Sequence, residues 1–141
     1  VEIGQPTIEV NQESVTGDMV SLDETVKQNK YTLLYLWASW HKISRVSNVQ
    51  LARLHKEYHA KGFEIYGVSL DEDKAKWSEA MMEDMLEWPN VSDLAGIENA
   101  AAKAYGIYYL PQSVLMNSNG IIEVKNMSDD DLELYLAEKL N

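Results

Sequence analysis

Residues Tyr31–Trp37, YTLLYLW, form a near-continuous apolar run with aromatic content, the pattern of a strand buried on both faces. A strand of that kind needs a covering layer on each side, so all-helical arrangements and sheets covered on one face only are closed to this chain. The segments that follow read as candidate layers. Ser44–Lys61 carries Val46, Val49, Leu51, Leu54 and Tyr58 at spacings of two to four, which predicts an amphipathic helix ended by Gly62. Phe63–Leu70 is a second apolar strand, after which Asp71 or Asp73 caps a helix running to about Met85, with Trp88-Pro89 as its break.

A shorter helix is expected from about Glu98 to Tyr105, stopped by Gly106. Ser113–Met116 and Ile121–Val124 flank Asn117-Ser-Asn-Gly120, a hairpin signal. Ser128 followed by Asp131 opens a last helix bearing Leu132, Leu134, Leu136 and Leu140. Ahead of all this, Thr7–Val10 and Met19–Leu22 alternate around a turn at Gly17, which predicts a short N-terminal hairpin and then a short helix from Asp23. The order is that of an α/β sandwich with a mixed central sheet. A chain of 141 residues suits one domain, spanning 1–141, and the start at Val1 leads us to expect a mature or trimmed piece of a longer precursor.

The junction between the first long strand and its helix reads Trp37-Ala-Ser-Trp40, then His41-Lys-Ile-Ser44. Further along stand Lys56-Glu-Tyr58, Gly62-Phe-Glu-Ile65, Gly67-Val-Ser-Leu-Asp-Glu-Asp73, Trp88-Pro89, Val91-Ser-Asp93, Ala101-Ala-Lys-Ala-Tyr-Gly106 and Leu110-Pro111. In this order and spacing they resemble the thioredoxin superfamily, in its TlpA-like thiol–disulfide oxidoreductase branch, over nearly the whole chain. The resemblance implies a thioredoxin-like three-layer α/β/α sandwich with the N-terminal hairpin appended. It implies a cis peptide bond at Pro111 facing the helix that begins near His41. It also implies an extracytoplasmic setting, a bacterial periplasm or cell envelope, and a role in cell redox homeostasis.

Three departures from the family pattern concern its chemistry. Relatives carry W-C-x-x-C where this chain has Trp40-His41-Lys42-Ile43-Ser44, often with Gly-Pro where this chain has Lys42-Ile43, and many carry a polar or acidic residue at the place of Tyr35. The chain has no cysteine anywhere, which excludes disulfides, thiolate metal sites, iron–sulfur clusters and cysteine nucleophiles within it. Disulfide exchange needs a thiolate to attack sulfur and a second thiol to resolve the mixed disulfide. Neither imidazole nor a serine hydroxyl can take those parts.

The expectation is therefore a redox-inactive thioredoxin-fold protein that binds a peptide or protein partner at the former active-site face. The residues singled out are Trp40, His41, Tyr109, Leu110 and Pro111, with Tyr108 beside them. In the family the backbone before the cis-proline pairs with an extended peptide, and exposed aromatics suit such a surface. The positive end of the helix dipole disfavours an imidazolium at its start, so His41 is expected as a neutral, partly exposed ring. One alternative is an oxidoreductase whose cysteines lie in a missing segment or a partner. Another is a metal-binding module using His41 or His55 and His59.

Other chemistry is weaker. His41 and Ser44, three apart, hint at a base and a serine nucleophile, but no orienting carboxylate can be named and no catalytic residue is assigned. His55-Lys-Glu-Tyr-His59 departs from H-E-x-x-H because lysine follows the first histidine. The pair reads as solvated surface, and no metal or other cofactor is assigned. Asp129-Asp-Asp131 lacks a calcium loop and suits a first helical turn. Trp77, Trp88, Met81, Met82 and Met85 read as core. A net charge of −11 repels nucleic-acid backbones and anionic lipid, and the longest apolar run, Leu33–Trp40, is too short to span a bilayer.

Overall fold

The computed structural model describes all residues, Val1–Asn141. A hairpin of β1 (Asn11–Glu13) and β2 (Met19–Ser21) precedes α1 (Leu22–Lys27), β3 (Tyr31–Trp37), α2 (Lys42–Tyr58) and β4 (Phe63–Ser69). Then come α3 (Lys74–Glu83), β5 (Asn90–Val91), α4 (Ala100–Ala104), β6 (Gln112–Asn117), β7 (Ile122–Lys125) and α5 (Asp129–Leu140). The main sheet has the order β5-β4-β3-β6-β7. β3, β4 and β5 run parallel, while β6 and β7 are antiparallel to their neighbours. This is the thioredoxin-like mixed-sheet sandwich with the appended hairpin.

Because β3 is central, its two faces feed two cores, and the period of two sorts its residues between them. Leu34, Leu36 and Ala38 pack with Leu22 and Val26 of α1, Ala101 and Ala102 of α4, and Val10. Leu33, Tyr35 and Trp37 pack with Leu51, Leu54 and Tyr58 of α2, Trp77 of α3, and Leu132 and Leu136 of α5. Each buried large apolar side chain contributes about 1.5–3 kcal/mol relative to exposure. Gly67 of β4 is required by this packing: a Cβ there would meet Asn90 Oδ1 at 2.7 Å and Trp88 Nε1 at 2.8 Å.

Local signals explain most of the ends. Asp73 caps α3 by accepting from Ala75 N and Lys76 N, and Ser128 caps α5 by accepting from Asp131 N. A 3-10 turn, His59–Lys61, follows α2 and ends at Gly62, whose φ of 111° is left-handed. In the β6–β7 turn Asn117 Oδ1 accepts from Asn119 N and Ile121 N, and Gly120 takes a φ of 75°.

Several expectations need correction. Residues 7–10 lie outside the hairpin, where the Tyr105 hydroxyl bonds both Ile8 N and Ile8 O, and Glu9 bonds the Ser21 hydroxyl and Asp23 N. On α2, Val46 and Val49 are exposed, and the buried stripe is Ser44, Ser47, Asn48, Leu51, Leu54, His55 and Tyr58. That stripe keeps the helical period, but its first half is polar because neighbouring elements supply hydrogen bonds. Leu134 faces solvent, and so do Met82 and Met85, whereas Trp77 and Trp88 are buried as core. No helix is long and apolar enough to cross a membrane.

Candidate functional site

The turn after β3 is held from both ends before any exposed group is reached. Asp71, buried two residues beyond β4, accepts from Ser39 N and from the Ser39 and Ser69 hydroxyls. Arg45 of α2 donates through Nη1 to Ser39 O at 3.1 Å and grips Asp84 with Nε at 2.6 Å and Nη2 at 3.1 Å. Those carboxylate partners, Asp84 first, push the Arg45 guanidinium's proton affinity further up. Sequence patterning offers Asp71 as a candidate helix cap and gives Arg45 no role.

On this rigid turn Trp40 is 62% exposed, and His41 becomes the N-cap of α2. His41 Nδ1 accepts from Ser44 N at 3.2 Å and lies 3.1 Å from Ser44 Oγ. Ser44 is fully buried, and no carboxylate touches the ring. The pair is thus a helix cap closed on itself, with its hydroxyl out of a substrate's reach.

Below it, the Tyr35 hydroxyl donates to Asn48 Oδ1 at 2.7 Å and lies 3.1 Å from Ser44 O. Burial pushes the Tyr35 phenol up, so it remains a neutral donor. Asn48 Nδ2 in turn donates to Asp84. We expect Tyr35→Phe to destabilise the fold by about 1–3 kcal/mol, the range for stranding a buried acceptor. Chemical denaturation checks this; a loss under about 0.5 kcal/mol would mean that water replaces the hydroxyl.

Trp40, His41, Tyr109 and Leu110 meet in one groove of about 640 Å³, joined by Ile97 and Tyr108. Tyr108 is 91% exposed, and an ion pair of Glu98 and Lys103 stands at the rim. The Leu110–Pro111 peptide bond is cis. The backbone N–H and C=O groups of Tyr109 and Leu110 make no hydrogen bond within the chain. Pro111 instead lines an adjoining recess of about 290 Å³ with Ile43, Ser47, Met127 and Asp129. Burial, the largest influence there, pushes the Asp129 carboxyl up. Ile97 and Ile43 are exposed apolar residues that sequence patterning did not associate with the site.

At the far end of α2 the solvated-pair expectation fails for His55. It is 6% exposed, stacked on His59 and packed edge-on to Trp88.

A profile of the AhpC/TSA family matches residues 3–125. The chain belongs to that family. Within the thioredoxin superfamily it stands with the TlpA-like thiol–disulfide oxidoreductases. A thiol-disulfide oxidoreductase from Bacteroides fragilis is 32% identical, with a TM-score of 0.86 covering 95% of this chain and 98% of that one. The thioredoxin domain of a thiol-disulfide oxidoreductase from Bacteroides vulgatus is 26% identical, with a TM-score of 0.89 covering 100% and 99%. The thiol:disulfide interchange protein DsbE of Escherichia coli is 27% identical over 129 residues, 90% of this chain and 66% of that protein. The chain thus spans just under two thirds of the length of that curated relative. In this AhpC/TSA member the positions of the W-C-x-x-C cysteines are His41 and Ser44, and no sulfur nucleophile exists within the chain.

Proposed function

We propose that this chain is a redox-inactive thioredoxin-fold domain, spanning 1–141, that binds an extended segment of a peptide or protein partner. Trp40, His41, Tyr109, Leu110 and Pro111 form the binding face. The observation that carries the reading is the unpaired backbone at Tyr109 and Leu110 beside an apolar groove. An incoming strand satisfies those backbone groups, as in strand addition to a sheet edge, and inserts side chains between Trp40 and the two tyrosines. The aromatic rings bury large area at little cost in rotamer freedom. The loss of both sulfurs leaves such docking intact while removing electron exchange. An extracytoplasmic, bacterial envelope location accompanies this reading through the family resemblance.

Linear peptides selected by display on the wild-type chain test the reading. Their affinity is expected to fall about thirtyfold or more for Trp40→Ala with Tyr109→Ala, the effect of losing a hot spot of about 2 kcal/mol. Equal dissociation constants for the wild type and the double variant refute the assignment of the face.

A further inference from the structure

The two histidines near the end of α2 have a third neighbour that lies on a different element. Alternation along β4 places Glu64 on the face shared with Tyr66 and Val68, away from α2. β5, however, pairs with β4 only at Gly67 and Val68, so the outer edge of β4 before Gly67 lacks a strand partner. The Glu64 side chain curls round that bare edge. Its Oε1 accepts from Ile65 N at 2.9 Å and lies 2.8 Å from His55 Nε2, while Oε2 lies 3.8 Å from His59 Nδ1. One ligand atom from each of His55, His59 and Glu64 falls within 4.8 Å of the others.

We propose that His55, His59 and Glu64 form a binding site for a zinc-class divalent cation. A tetrahedral zinc ion, with bonds of about 2.0–2.2 Å, holds its ligand atoms about 3.4 Å apart. Glu64 Oε1 lies 2.8 Å from His55 Nε2 and Oε2 lies 3.8 Å from His59 Nδ1, and with one ligand atom of each residue within 4.8 Å of the others, side-chain rotation is what brings the three donors onto one ion. Two imidazoles and one carboxylate suit a borderline ion such as zinc, copper or nickel, whereas calcium and magnesium want an oxygen shell. The His55 and Glu64 side chains are only 7% and 12% exposed and are held by their neighbours, while His59 is 51% exposed and leaves the remaining position to water.

The Ile65 N–H bond orients the carboxylate from behind, which favours one ligand geometry. The ion displaces the proton between His55 and Glu64. Coordination through His59 Nδ1 also exchanges the bond to Phe63 O. Those losses place the affinity in the micromolar range rather than that of an all-cysteine site. The net charge of −11 draws cations to the surface. This site lies at the opposite end of α2 from His41 and does not rest on the peptide-binding reading.

The test is titration of Zn²⁺ alone into the full chain, followed by calorimetry and by thermal melting. One ion per chain and a melting temperature that rises with zinc are expected, since a ligand of the native state stabilises it. Cobalt substitution is expected to give the d–d absorption of a low-symmetry nitrogen–oxygen site. His59→Gln, at the exposed ligand, is expected to keep the metal-free melting temperature and to bind zinc at least about tenfold more weakly. Glu64→Gln is expected to weaken it as well. No heat and no shift in the wild type, or undiminished affinity in His59→Gln, overturns the site.

Discussion

Replacing His41 and Ser44 together by cysteine is expected to give a chain that catalyses insulin reduction with dithiothreitol as electron source, where the unsubstituted chain is expected to give no signal above background. The two side chains already face each other across the first turn of α2, with Nδ1 and Oγ 3.1 Å apart. A cysteine at the N-cap would meet the free N–H groups and positive dipole end of the helix, which lower a thiol's pKa from about 8.5 toward about 7. At neutral pH that raises the thiolate fraction from about 3 per cent to about half, roughly a fifteenfold gain in attacking species. The second cysteine, at the buried Ser44 position, resolves the mixed disulfide and releases the reduced substrate. His41→Cys alone is expected to trap a mixed disulfide without turnover.

The restored rate should stay below that of relatives with an acidic residue at the Tyr35 position, because the neutral, hydrogen-bonded phenol is a poor proton acceptor. Insulin reduction by the unsubstituted chain would contradict the proposal of redox inactivity. A double variant that forms the disulfide but never turns over would mean that the surrounding frame no longer supports the reaction.

The largest expected loss of stability is at Trp37. The side chain is fully buried against the α2–α3–α5 face, and its Nε1 donates to Asn90 Oδ1 at 2.9 Å. Trp37→Ala opens a cavity and strands that oxygen, in a place where Asn90 Nδ2 already lacks a partner. We expect a cost of about 3–5 kcal/mol, a large part of the roughly 5–15 kcal/mol available to a domain. The melting temperature should fall on the order of 10–20 °C. Trp37→Phe keeps most of the volume and isolates the hydrogen bond, at about 1–3 kcal/mol. Urea unfolding with an unchanged m-value measures both. Losses below about 1 kcal/mol for Trp37→Ala would show that the site collapses without a cavity.

Much of the fold was legible from local chemistry. The apolar run Tyr31–Trp37 matches β3 residue for residue, and the Asp73 and Ser128 caps lie where short polar side chains can take the first free N–H groups. The lack of cysteine is a fact of composition, and no folded geometry can add a thiol. That Trp40 and Tyr109 line one groove was legible because the family pattern sets the strand–helix junction near the loop before Pro111.

Tertiary contacts decided what hydropathy could not. Ser44, Ser47 and Asn48 are buried while Val46 and Val49 are exposed, because Tyr35, Asp84 and Asp129 offer polar partners from other elements. Helical period tells which residues share a face, but whether a polar face can be buried depends on hydrogen bonds that only packing supplies. Ile97 reaches the groove from a 3-10 turn about sixty residues after Trp40 in the chain. Glu64 meets His55 of α2 and His59 of the turn after it only because β5 leaves that edge bare. Closeness between elements distant along the chain is a property of the assembled layers, and no local pattern encodes it.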